Sequence, residues 1–214
     1  MARKLQSLYL LGPSGRLEAL YEEPEPPHRI ERACVFCHPH PQYGGTMHNK
    51  VVYRMARAAR YSGAAVLRFN FRGVGASSGT YDGGRGEQDD LRAAVRYMHD
   101  RHAGIPLLVG GFSFGSCASL RVACGDPSVE RVIAVGTPTD LADLGFLRSC
   151  GCPKHFVQST RDEYGSRESM QRTFDMAAPP KRIRWVEARD HFFADALDGV
   201  EQAVRSALGS AAAR

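Results

Sequence analysis

The chain has 214 residues, 43% of them hydrophobic and 24% charged, with a net charge of +5. That length suffices for one substantial core, so a single domain spanning residues 1–214 is expected. The basic residues are dispersed rather than gathered in a stripe and no leading apolar segment is visible, so neither nucleic acid nor membrane is an expected partner and a cytoplasmic location is expected.

Taken in chain order, Leu8–Leu11 and Leu17–Tyr21 flank Gly12-Pro-Ser-Gly15 and read as an antiparallel hairpin at one sheet edge. Glu22–Pro27 reads as a short loop, and Ala33–Cys37 as a strand entering His38-Pro-His-Pro-Gln-Tyr-Gly-Gly45. Lys50–Tyr61 carries Val51, Val52, Met55, Ala56 and Ala59 at helical spacing, and Ala64–Asn70 is a buried strand. The Gly-rich run Arg72–Gly79 misses the dinucleotide fingerprint by one position, so a tight structural turn is expected, with Arg72 against the His38 loop. Further on, Glu87–Met98 reads as a helix, Ile105–Phe112 as a strand, Cys117–Cys124 as a helix and Arg131–Val135 as a strand. About seventeen positions then separate Val135 from Pro153, with Asp140–Leu147 as the apolar helical candidate. Strands at Pro153–Gln158 and Arg182–Glu187, a helix from Phe193 to Leu208 and a fraying tail at Ser210–Arg214 complete the series. Lys181–Arg184 alternates and suits a solvated edge. Alternating strands and helices imply a mainly parallel twisted sheet with helices on both faces.

The six cysteines suggest no disulfide framework or zinc site. Cys34 and Cys37 share a strand, Cys117 and Cys124 share a helix, and Cys150-Gly-Cys152 is read as reduced thiols.

Chemistry concentrates at Gly111-Phe112-Ser113-Phe114-Gly115. A strand running into Gly-x-Ser-x-Gly and out into a helix presents the serine hydroxyl on a strained turn, a nucleophile elbow. The alternative is a serine that merely caps a helix. A serine nucleophile needs a base and an orienting acid, which follow it in the order acid, then histidine. Only His155 and His191 lie downstream; His155 falls inside a strand, whereas His191 follows the last strand, at the edge where a base must sit. The acid expected is Asp162, in the loop after the penultimate strand, with Glu163 as its neighbour and rival and Asp190 as a turn former. For the oxyanion hole, Phe114 supplies the amide after the nucleophile, and the Pro-rich loop leaves His40 or Gln42, since proline has no N–H.

His38–Lys50, Arg68–Gly75, Gly111–Gly115 and Asp190–Phe193 together resemble, in order, the small lidless bacterial α/β-hydrolases that are serine-elbow relatives of the dienelactone hydrolase group. The resemblance runs from about residue 30 to the last helix. It implies the α/β-hydrolase fold with no large lid, a catalytic triad of Ser113, Asp162 and His191, and amide donors at His40 and Phe114; ester hydrolysis by such a triad needs no metal or organic cofactor. Hydrolysis of small carboxylic esters with short or compact acyl groups is the expected activity. Thioesterase, peptidase or acyltransferase chemistry on the same triad, or a ligand-binding protein on the same fold, are the alternatives.

Overall fold

The computed structural model describes residues 5–24 and 29–209, so part of the expected loop at 22–27 and the tail at 210–214 lie outside the described residues. One eight-stranded sheet carries the fold, in the order β1-β2-β4-β3-β5-β6-β7-β8. The strands are β1 (Leu5–Gly12), β2 (Gly15–Glu22), β3 (Arg32–Cys37), β4 (Ala64–Phe69), β5 (Leu107–Phe112), β6 (Val129–Val135), β7 (Lys154–Ser159) and β8 (Lys181–Val186). The N-terminal hairpin is antiparallel and β2 joins β4 antiparallel, while all pairings from β4 across to β8 are parallel.

Every residue of β4 and of β5 is buried, as continuous apolar runs require when both sheet faces are covered. Helices α1 (Lys50–Arg60) and α5 (Leu197–Gly209) pack on one face. On the other lie α2 (Arg85–Arg101), α3 (Phe114–Gly125) and α4 (Arg167–Met176). Helix α1 buries the residues its spacing selected, and Asn49 caps it, its side-chain oxygen accepting from the amides of Val51 and Val52. The edge strand β8 keeps Arg182 and Arg184 exposed.

Chain order reverses beside β3: the chain moves out to β4 and returns to β5 on the other side of β3. Loops leaving the carboxyl ends of β3 and β5 therefore diverge to opposite sides and open a crevice, where ligands of such sheets bind. Those loops begin at His38 and Ser113.

Several boundaries differ from expectation. Helix α2 starts at Arg85 because Glu87 is its third residue and folds back, accepting from the amides of Gly84 and Asp82. Helix α5 starts at Leu197 rather than Phe193, because Phe193 and Asp195 have φ of 55° and 60°, left-handed values that a right-handed helix does not contain. Of the segment expected to be helical at 140–147, residues 140–144 are irregular and the last three belong to a short 3₁₀ helix at Gly145–Ser149. Arg72 turns not to the His38 loop but to α2, where Asp90 receives its Nε and Nη2 at 3.0 and 2.8 Å. A carboxylate fully buried in that helix is a stronger attractor than a neutral loop.

The cysteine reading needs correction. Cys124, at the end of α3, forms a disulfide with Cys150, their Cα atoms 5.0 Å apart across 26 residues of sequence. Packing of the 145–149 turn against α3 brings the two together, a juxtaposition that spacing cannot reveal. Four free cysteines remain, so thiol titration of the denatured, unreduced protein is expected to count four groups and the reduced protein six. Six before reduction would show that the bond does not form.

Candidate active site

Ser113 lies between β5 and α3 with φ 55° and ψ −121°. Such a conformation costs a non-glycine residue of order 1–3 kcal/mol and persists only where the surroundings over-determine it. Here its amide donates to the Val135 carbonyl of β6 at 2.9 Å, and its carbonyl accepts from the amides of Ser116 and Cys117 and from the Ser116 hydroxyl. The flanking glycines are steric necessities. A Cβ on Gly111 would stand 2.4 Å from the Gly115 backbone, so the helix can fold back onto the strand. A Cβ on Gly115 would stand 2.5 Å from the His38 carbonyl and 2.6 Å from that of Cys37, so the end of β3 crosses directly over the elbow.

Three side chains from three loops converge. The Ser113 hydroxyl is 2.8 Å from His191 Nε2, and His191 Nδ1 is 2.9 and 2.8 Å from the two carboxylate oxygens of Asp162. A carboxylate only accepts, so Nδ1 carries the ring proton and Nε2 is left with a lone pair directed at the serine hydroxyl. His191 is 2% exposed and Asp162 5%, and the imidazole packs among Phe112, Tyr164 and Phe192. Gly136, at the end of β6, leaves the space for this: a Cβ there would sit 2.7 Å from the Phe112 ring and 3.4 Å from His191 Cε1.

The rival carboxylates separate cleanly. Glu163 accepts not from the imidazole but from the His191 backbone amide at 2.8 Å, fixing where the ring begins. Asp190 accepts from the Ala194 amide and shapes the turn. His155 is held in β7, its pKa pushed down to about 4 by burial and by Arg131 and Arg182. Cys117 also lines the cleft, and burial pushes its thiol up to about 11, which favours the protonated form at neutral pH.

Sequence reasoning missed Gln158. Its Nε2 donates to Asp162 at 2.9 Å and to the Thr137 and Gly165 carbonyls, while its Oε1 accepts from the Thr137 amide. Amides of Tyr164 and Gly165 complete the shell of Asp162 at 2.9 and 3.0 Å. The signal was present: a glutamine at the end of a buried apolar strand, four residues before the acid.

A cleft of about 1010 Å³ opens over Ser113. His40, Tyr43, Tyr81 and Phe114 form its aromatic wall, their ring centroids 4.6–6.1 Å apart. Pro138, Leu141 and Ala142, from the short connection between β6 and β7, also line it. Phe114 is the first residue of α3, so its amide has no acceptor within the helix. Gln42 is not a free donor, because its amide already serves the His40 ring at 3.2 Å. Among the described residues no group of three or more His, Cys, Asp or Glu could hold a metal ion, and no helix is long and apolar enough to cross a membrane.

Residues 33–206 match the family model described as an alpha/beta hydrolase domain. The chain belongs to that family. Among solved structures, an α/β serine hydrolase homologue from Coxiella burnetii is 32% identical to this hydrolase-family chain, covering 95% of it and 97% of the homologue, with a TM-score of 0.88. An α/β serine hydrolase without a lid from Xanthomonas campestris is also 32% identical, over 99% and 98% of the two chains, with a TM-score of 0.87. An uncharacterized protein of Rickettsia prowazekii is 29% identical over 95% of this chain and 89% of its own length. The fold is thus that of the small, lidless α/β hydrolases.

Replacing Gln158 by leucine, of similar size, removes its hydrogen bonds and leaves the buried Asp162 carboxylate short of a donor. The expected loss is about 1–3 kcal/mol of unfolding free energy, read from urea denaturation. An unchanged midpoint would mean that the network does not hold the acid.

Proposed function

We propose that the protein is a serine hydrolase that cleaves carboxylic esters with short or compact acyl groups through an acyl-enzyme intermediate. The observation that carries this reading is the hydrogen-bonded chain from Ser113 through His191 to Asp162, with Oγ–Nε2 at 2.8 Å. In the first step His191 Nε2 takes the hydroxyl proton as Ser113 Oγ attacks the acyl carbon, and Asp162 stabilises the imidazolium that forms. Amides of His40 and Phe114 hold the oxyanion; each such donor is worth roughly 3 kcal/mol in barrier height. Collapse of the tetrahedral intermediate breaks the ester C–O bond, and His191 returns its proton to the departing alcohol. Water then repeats the sequence on the acyl-serine and releases the carboxylic acid.

The preference for compact acyl groups follows from the cleft. The connection between β6 and β7 is too short to carry a large lid, so a long acyl chain would keep much of its surface in water, where it gains no burial. A small-molecule ester is therefore the partner, and the reaction needs neither metal nor organic cofactor.

Ser113→Ala is expected to abolish turnover of p-nitrophenyl acetate and butyrate while the melting temperature stays near that of the parent. Asp162→Asn should lower kcat by about 10⁴-fold by disfavouring the reactive imidazole tautomer. Across esters of increasing acyl length, kcat/KM should peak at acetate to butyrate and fall beyond. A folded parent protein whose Ser113 resists a fluorophosphonate probe would instead favour a ligand-binding protein on this fold.

A further inference from the structure

His38 directly follows β3 with no exposed surface, and nothing in the triad chemistry uses it. Its Nε2 lies 3.1 Å from the amide of Phe71. An amide N–H only donates, so Nε2 must be the accepting nitrogen and the single ring proton of the neutral imidazole resides on Nδ1. Nδ1 in turn lies 2.6 Å from the carbonyl oxygen of Pro39 and donates to it.

That carbonyl and the amide N–H of His40 belong to one peptide unit. The cis bond among the described residues is Pro179–Pro180, so the unit joining Pro39 to His40 is trans, and its C=O and N–H point in opposite directions. Holding the carbonyl toward the buried His38 ring consequently turns the N–H away from the core, on the side of the cleft that His40, Ser113 and Phe114 share. The next peptide is fixed as well, because the His40 carbonyl accepts from the amides of Tyr43 and Gly45, both at 3.1 Å. Gly45 has a second role: a Cβ there would lie 2.2 Å from the Pro39 oxygen and displace the carbonyl from His38.

We propose that His38 is the positioning residue of the oxyanion hole, aiming the His40 amide by holding the opposite end of its peptide. This rests on the ester-hydrolase reading and extends it to a residue that touches neither substrate nor reacting atoms. Burial pushes the His38 pKa down to about 4, so the ring stays neutral and keeps the one-donor, one-acceptor pattern the loop requires. Edge-on packing against Phe71, with ring centroids 4.8 Å apart, locks the orientation of the imidazole.

The test compares His38→Phe, which keeps a packed ring but loses both hydrogen bonds, with His38→Asn, whose side-chain amide can still donate to Pro39. Rates are normalised to active sites by fluorophosphonate titration, so that partial unfolding does not count. His38→Phe is expected to lower kcat about 10- to 100-fold with KM nearly unchanged, less than the 10²–10³ lost when a donor is removed outright. Affinity for an alkyl boronic acid, which becomes tetrahedral on the serine, should fall by the same factor. His38→Asn should recover much of both. Should His38→Phe fail to fold, His38→Gln serves in its place, because its longer amide reaches toward Phe71 and abandons Pro39; kcat should then fall in the order parent, Asn, Gln. Normal kcat and boronate affinity in folded His38→Phe or His38→Gln would overturn the proposal, as would a loss confined to KM. Absence of ester turnover and of probe labelling in the parent protein would instead remove the hydrolase reading beneath it.

Discussion

The left-handed backbone at Ser113 is the constraint on which the site depends. A residue with a Cβ does not adopt φ near 55° without cost, and the surrounding fold supplies the compensation. The Val135 carbonyl receives the Ser113 amide only because β6 lies beside β5 in register, and the Ser113 carbonyl is held only because α3 starts there. Once the turn is fixed, the hydroxyl stands above the sheet at the crevice where chain order reverses. Its position is a property of the sheet, not of the pentapeptide alone.

Behind Ser113 and His191 stands a layer of hydrogen-bonded polar side chains. Asp162 is surrounded by His191, Gln158 and two backbone amides, so directed donors meet its carboxylate oxygens. A corresponding layer lies under the His38 loop. Arg68 donates to the Met47 carbonyl and to Glu22, and Asn70 accepts from the Met47 amide while donating to Glu18. Glu18 and Glu22 come from β2, which explains what the antiparallel hairpin contributes: it delivers carboxylates that tie down the far end of the loop carrying His40. Interior ion pairs of this kind add little net stability, but loss of one partner strands a charge, so the arrangement favours a single loop conformation.

Much of this was legible because the informative patterns are local. Gly-x-Ser-x-Gly between an apolar run and a helix named Ser113, and position after the last strand separated His191 from His155. Asp162 was separable from Glu163 only by turn preference; the structure shows that both carboxylates act on the same histidine, one on its ring and one on its backbone. Arg72 was assigned to the wrong neighbour, the His38 loop, for the opposite reason, since its partner Asp90 lies on a helix whose facing side depends on packing. The start of α5 was misjudged because an apolar run at helical spacing does not reveal that Phe193 and Asp195 are left-handed.

The amino-acid order by itself determined the alternation of strands and helices, the strained serine turn and the ranking of acid and base, because each rests on period, chain order or the needs of a few adjacent residues. Tertiary structure decided the rest: the pairing of Cys124 with Cys150, the Gln158 support of the acid, and the bond from His38 to the Pro39 carbonyl. These are directional contacts a few ångströms long. Whether two groups meet at that range is set by how strands register and helices pack, which no short window of sequence contains.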